Sequence, residues 1–378
     1  MSTLQIGLES FGGGFGGGCA RYFSALTQCL ESEHVTVHHI VTGNASMTNP
    51  HPDRVRAICA RDAPLLERLC AARAAVRAIL AKDRVDIVAS HFALFTSVCL
   101  DLIKHLPMVI HFHGPWAAES LLEGASRITA SGKFFVEKLV YSRAEKAIVL
   151  THAFSNVLHR TYGVPREKIS VIPGGVDVER FNVSQSRADA RTRLGLPLDR
   201  PVVVVVRRLV KRMGLENLIA GFGGVSRMHR DALLVIVGSG NLFDVLKRQV
   251  QDYGLAGRVV FAGRVSEEDL ALYYRAADMS VVPSVELEGF GLVVAESLAC
   301  GTPALVTPVG GLPEVVSALS EGLVFENSSC AAICEGLSAA LAGRLQLPSP
   351  QACTEYARAN FSWPIITERV KSLYCGVL

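Results

Sequence analysis

The chain has 378 residues, 49% of them hydrophobic and 19% charged, with a formal net charge of +3. That length exceeds the ~250–300 residues at which a single core stops growing, so two domains are expected, and the composition excludes a disordered chain. A charge this small, with no basic stripe interleaved with aromatics, gives no ground for a nucleic-acid partner.

Short apolar runs alternate with helical patterns from end to end, the signature of parallel sheets built from βαβ units. The first half carries predicted strands at Leu4–Leu8, Val35–Val41, Ile87–Ser90, Met108–His111, Ala147–Leu150 and Ser170–Ile172. In the second half they fall at Val202–Val206, Leu233–Val237, Val259–Phe261, Ser280–Val282 and Ala304–Val306. Between the two sets, the Pro/Gly break Pro173–Phe181 and the polar stretch 182–193 mark a domain boundary, giving expected domains 1–181 and 182–362. The fold class is α/β: two Rossmann-like, doubly wound domains, expected to face each other across a cleft at the carboxyl ends of their strands. An amphipathic helix is predicted over Trp363–Tyr374, and the sequence holds no internal repeat.

Met1-Ser-Thr-Leu-Gln-Ile6 lacks the charged region and apolar core of a signal peptide, and no run reaches the ~18 apolar residues of a membrane span. The ten cysteines include no Cys-x-x-Cys pair, so free thiols in a reducing cytosol are expected in place of a zinc ribbon or a disulfide framework. A cytoplasmic protein is anticipated. One basic cluster, Arg68, Arg73, Arg77, Lys82 and Arg84, reads as a solvated helix face, the alternative being peripheral contact with the anionic inner face of a membrane.

Chemistry is concentrated where strands end. Gly12-Gly-Gly-Phe-Gly-Gly-Gly18 follows the first strand and precedes the predicted helix Ala20–Leu30, so its backbone can approach a phosphate or an acceptor closely; a plain surface loop is the alternative. No acidic residue closes the next strand, which leaves the ribose grip of a nicotinamide enzyme missing. His113, in Val109-Ile-His-Phe-His-Gly-Pro115, leaves the end of an apolar strand, where an imidazole can donate a hydrogen bond or shuttle a proton. His111 and His91 are placed similarly and are expected to satisfy backbone groups. The His-x-His pair finds no third ligand, so no metal site is assigned.

Further on, Val202–Val206 runs directly into Arg207-Arg-Leu-Val-Lys-Arg-Met-Gly214. Cations at the carboxyl end of a parallel strand can neutralise a diphosphate, and Arg208 is the first choice, followed by Lys211 and Arg212. Gly238 in Val237-Gly-Ser-Gly240 and Arg264 in Phe261-Ala-Gly-Arg264 mark strand-end turns against which a nucleobase can rest. The segment Glu288-Gly-Phe-Gly-Leu-Val-Val-Ala-Glu296 sets one carboxylate in a glycine-flanked turn and another on the following helix, eight residues later. Strand, glycine turn and helix start form a unit that binds phosphate at its amides, and the two glutamates can grip different ends of one ligand. Glu314, in Gly310-Gly-Leu-Pro-Glu314, is read as stabilising a helix start.

In order along nearly the whole chain, these segments resemble the retaining glycosyltransferases of family 4, whose two-Rossmann-domain fold is called GT-B. The resemblance rests on Gly17-Gly18, His113-Gly114, Ile172–Asp177, Arg208-Leu209 with Gly214, Val237–Gly240, the Glu288-x7-Glu296 pair, Gly310–Glu314 and Phe361–Trp363. It implies transfer of a sugar from a nucleoside-diphosphate sugar, UDP favoured and GDP as the alternative, to the hydroxyl of a small molecule, glycan or lipid-linked acceptor. No other cofactor is implied, and with no Asp-x-Asp present the reaction is expected to be metal-independent. By resemblance, Glu296 holds the ribose, Glu288 faces the donor sugar with His113 beside it, and Arg208 pairs with the diphosphate. The amides of Gly289, Phe290, Gly291 and Leu292 would contact the sugar and diphosphate, and the last helix, 363–378, would rejoin the first domain. One departure stands out: the family usually has Lys where this chain has Met213, so Lys211 or Arg212 is expected to reach in instead. The rival readings are a sugar-nucleotide 2-epimerase of the same architecture and a non-catalytic sugar-nucleotide binder.

Overall fold

Valine and isoleucine dominate the runs that become strands, because branched side chains pack well on a pleated surface buried on both faces. In the computed structural model, which describes residues 1–9, 17–42, 55–60 and 62–378, these runs build two separate parallel sheets. The chain divides into one unit of Met1–Gly175 with Trp363–Leu378 and a second of Val176–Ser362.

The first unit holds β1 (Ser2–Glu9), β2 (Thr36–Thr42), β3 (Val55–Ala57), β4 (Ile87–Ser90), β5 (Met108–Phe112), β6 (Lys146–Val149) and β7 (Ile169–Val171). All pair in parallel, in the order β3-β2-β1-β4-β5-β6-β7. β3 is absent from the sequence expectation because three residues at the sheet edge, one of them arginine, are too few to show a period. The strand order reverses between β1 and β4, which is where sheets of this kind open a crevice for ligands.

The helices Gly18–Ser32 and Trp363–Cys375 belong to this unit and pack together, with the rings of Tyr22 and Trp363 5.5 Å apart and Lys371 3.2 Å from Glu33. On the helix Leu65–Lys82, Arg77 and Lys82 are exposed, while Arg73 forks onto Asp101 at 2.5 and 2.6 Å. Among the described residues no helix is long and apolar enough to cross a membrane. The ten cysteines are free thiols.

The second unit holds β8 (Val202–Val206), β9 (Leu233–Val237), β10 (Val259–Gly263), β11 (Met279–Val282) and β12 (Ala304–Val306), again all parallel, in the order β10-β9-β8-β11-β12. Its switch point lies between β8 and β11. Asp278 secures the entry to both of these strands: it accepts from the Val202 amide at 2.7 Å and from the guanidinium of Arg191, on the helix Arg187–Leu194, at 2.8 Å. Arg191 is buried, so removing its partner strands a charge away from water. Asp278→Ala should therefore cost about 3 kcal/mol of stability, read as a lowered urea midpoint of the transition that reports the second unit; a shift below ~0.5 kcal/mol would show that the pair contributes little.

Candidate active site

Two loops interlock at the switch point of the second sheet. β8 ends at Val206, and Arg207 turns its guanidinium inward, where it donates to the Ser284 hydroxyl and to the Glu288 carboxylate beyond the end of β11. Ser284 also donates to Glu288 Oε2 at 3.0 Å. The side chains of Arg207 and Glu288 are 6% and 12% exposed, so this ion pair is largely shielded from solvent. Burial opposes ionisation of Glu288, but Arg207, Ser284 and Arg212 outweigh it and hold the carboxyl below the usual range.

The backbone around Glu288 is gripped as well. Leu287 sits at φ 47°, a left-handed conformation that costs a non-glycine residue free energy, and its carbonyl accepts from Arg212 Nη1 at 3.0 Å. Gly310 has φ +57°, and a Cβ there would lie 1.9 Å from the Glu288 carbonyl oxygen, which also accepts from the Gly311 amide at 2.9 Å. A Cβ on Gly214 would lie 1.8 Å from the Pro283 carbonyl oxygen, and the Val285 amide donates to the Arg212 carbonyl at 2.9 Å. Backbone contact at distances that only glycine allows thus locks the β8 loop against the β11 loop.

Past this turn, Gly291 is the N-cap of the helix Leu292–Ala299, leaving Leu292 at a helix start where amides face outward. Glu296 lies in the second turn, buried, and accepts from the Tyr274 hydroxyl at 3.1 Å. Phe290 points into the core against Phe361, with ring centroids 5.4 Å apart, so Gly289 and Phe290 offer backbone here. Arg208, Lys211 and Arg264 are exposed, Arg212 is half-buried and Met213 is buried. Gly238 donates to the Gly263 carbonyl at 2.8 Å, and a Cβ on it would lie 1.9 Å from the Arg207 carbonyl oxygen, so this glycine supports the β8 loop directly.

In the first unit, β4 and β5 bring three imidazoles onto one face, beside Gln5 of β1. His91 follows β4, His111 lies on β5 and His113 follows it; the rings of His91 and His111 stack with centroids 4.1 Å apart, and those of His91 and His113 lie 5.4 Å apart. His91 Nδ1 is 3.1 Å from His113 Nε2, and His91 Nε2 is 2.9 Å from Gln5 Oε1 on β1. His111 Nε2 is 2.7 Å from the Tyr374 hydroxyl, and its Nδ1 is 3.4 Å from that of Tyr22. The expectation that His91 and His111 satisfy backbone groups is therefore corrected: their rings bond other side chains, because residues leaving adjacent parallel strands in register share a face. Gly17 is the N-cap of the helix Gly18–Ser32, and both Gly17 and Gly18 are exposed; Gly12–Gly16 lie outside the described residues.

Residues 16–180 match the family model Glycosyltransferase Family 4, and residues 186–360 match Glycosyl transferases group 1. A D-inositol 3-phosphate glycosyltransferase of Corynebacterium jeikeium is 32% identical over 307 residues, 76% of this chain and 72% of the relative. This chain is a family 4 type glycosyltransferase. A GDP-mannose-dependent alpha-(1-6)-phosphatidylinositol monomannoside mannosyltransferase of Mycolicibacterium smegmatis is 34% identical, with the match spanning 56% of this chain and only 57% of the relative's length. Among solved structures, sucrose-phosphate synthase of Thermosynechococcus elongatus superposes with a TM-score of 0.81 at 26% identity, covering 100% of this chain and 98% of that one. The fold is GT-B.

The glycosyltransferase brings Glu288, Arg212 and the start of the Glu296 helix together, but the buried cation at this site is Arg207, which the sequence reading passed over for Arg208. Five consecutive valines give no parity from which to tell which arginine turns inward. The histidine face has a consequence for pH. Burial lowers His113 from the ordinary 6.5 to about 4; burial, and then His38, bring His39 to about 4; and burial, with the neighbouring rings, takes His91 and His111 well below the ordinary value. A histidine neutral in the folded enzyme and protonated in the unfolded chain makes the folded state bind fewer protons. Its stabilisation is complete above pH 6.5 and is lost as the pH falls towards 4. Urea unfolding followed at pH 7.5 and 5 should show a loss of at least ~2 kcal/mol at the lower pH; a flat profile would contradict the buried neutral stack.

Proposed function

We propose that this glycosyltransferase moves a hexose from a nucleoside-diphosphate sugar to an acceptor hydroxyl with retention of anomeric configuration and without a metal ion. The observation that carries this reading is the Arg207–Glu288 pair at the second switch point, flanked by Arg208, Lys211 and Arg212 and followed at once by a helix start. A departing diphosphate gathers negative charge, and preorganised guanidinium, ammonium and helix amides stabilise it where it forms. Arg208 and Lys211 are exposed and available for that role.

Glu288, held ionised, accepts hydrogen bonds from hydroxyls of the donor sugar, and Glu296 accepts from those of the ribose. His113 is assigned a hydrogen bond to a sugar hydroxyl. In the chemical step the bond from the anomeric carbon to the phosphate oxygen breaks while the acceptor oxygen bonds on the same face. The leaving phosphate takes the acceptor's proton, so no second carboxylate is required as a nucleophile. GDP-mannose, named for the M. smegmatis relative, joins the UDP-hexoses as a donor to try first. Both relatives are named for inositol-bearing acceptors, which supports testing that class of acceptor first.

A donor panel run against inositol-phosphate and phosphatidylinositol acceptors in excess chelator should give a product whose anomeric proton reports the donor's own configuration. Glu288→Gln should lower kcat about 100-fold in the same assay, and an inverted product, loss of turnover with chelator, or a wild-type rate in the variant would each refute the corresponding part of the reading. Lys211→Ala and Arg212→Ala separate the candidates for the cation missing at Met213. At least one should depress kcat strongly, and wild-type rates in both would exclude a substitute clamp in this loop.

A further inference from the structure

Behind the loop that carries His113, a carboxylate lies out of reach of solvent. Glu137, on the helix Arg127–Tyr141, is fully buried, and each of its oxygens accepts two hydrogen bonds. Oε1 takes the Trp116 amide at 2.8 Å and the Tyr141 hydroxyl at 3.3 Å, while Oε2 takes the Ala117 amide at 3.1 Å and the Tyr162 hydroxyl at 2.9 Å. A backbone amide only donates, so the direction of the bonds from Trp116 and Ala117 is fixed. These are the first two amides of the helix Trp116–Leu122, whose N-cap, Pro115, has no side-chain oxygen to offer them. Burial pushes the pKa of Glu137 up, against the four bonds, so the carboxyl is kept here at a cost in free energy.

Only Gly114 and Pro115 separate His113 from Trp116. The ring of Pro115 fixes its φ, here −79°, and Gly114 has φ +154°, where a Cβ would lie 3.1 Å from Glu119 Oε1. So short and stiff a link passes any shift of the helix start on to His113. On the other side, Phe112 is buried among the rings of Tyr141, Phe154 and Tyr162, with centroids 5.7, 5.5 and 5.9 Å away. Two of those rings carry the hydroxyls that bond Glu137, so one cluster anchors the chain before and after the imidazole. We propose that Glu137 is a positioning residue, which holds the start of the helix Trp116–Leu122 so that His113 meets a substrate hydroxyl at hydrogen-bonding distance. The assignment deepens the glycosyl-transfer reading above and rests on it for the identity of the hydroxyl; the placing of His113 does not. An error of ~1 Å in placing such a group can lower a rate about 100-fold.

Glu137→Gln keeps the shape of the side chain but sets an NH2 group against one of the two amides, donor facing donor. Crystal structures of the full-length variant and wild type, both without substrate, should show the start of the helix Trp116–Leu122 and the His113 ring displaced by ~0.5 Å or more with β5 unmoved; His113 in its wild-type place overturns the proposal. In the transfer assay kcat should fall about tenfold or more with donor KM little changed, and a wild-type kcat overturns it. A residue that acts through His113 has nothing left to position once that ring is gone, so adding Glu137→Gln to His113→Gln should lower kcat by less than about twofold further. The same tenfold loss in that background marks a general structural role and overturns the proposal. Where Glu137→Gln gives no folded protein by circular dichroism, Tyr162→Phe, which removes one donor and leaves both amides on the carboxylate, takes its place in the cycle, with a smaller loss judged by the same criterion. If the wild type turns over no donor, glycosyl transfer fails as a function while the crystal structures still decide the placing of His113.

Discussion

A guanidinium and a carboxylate taken out of water must find each other, and in the second unit Arg207 and Glu288 do so across the switch point of the sheet. The pair ties the loop after β8 to the loop after β11, and the other features of the site follow that tie. Leu287 accepts a left-handed backbone beside it, Arg212 closes on the Leu287 carbonyl, and Gly310 and Gly214 allow backbone contacts that any Cβ would block. Glu296 enters by a different route, buried on the helix that begins just past the turn and held by Tyr274.

The first unit meets the same constraint with the opposite solution. Its strand ends carry imidazoles, which can shed their charge, and burial makes them do so. Three neutral rings then stack and bond through single protons to Gln5 and Tyr374. One unit thus presents a compensated ion pair with the exposed Arg208 and Lys211 close to it in sequence. The other presents a neutral hydrogen-bonding face.

Most of the framework was legible in the chain. The apolar runs from Leu4 and from Val202 onward locate all the strands of the sheets except β3, whose three residues are too few to be distinguished from a loop. The Glu288–Glu296 spacing, the glycine turns and the cation-rich loop were visible because each is local. What was not visible was side-chain direction after a run of valines, which decides that Arg207, not Arg208, meets Glu288. The partners of the histidines were also hidden, since Tyr374 lies 263 positions from His111 and Gln5 lies 86 from His91.

The sequence by itself therefore determined two parallel α/β sheets, the glycine turns and the cation-rich loop at their strand ends, and the resemblance to family 4 glycosyltransferases, the part of it that the comparisons bear out. Periodicity, glycine and proline act over a few residues, and those are the distances at which a single chain can be read. Only the tertiary structure decided which cation is buried with Glu288, that Gly238 and Gly310 serve the backbone of neighbouring loops, and that three histidines form one hydrogen-bonded stack. These depend on register between strands distant in sequence, where a shift of one residue would turn every side chain to the other face.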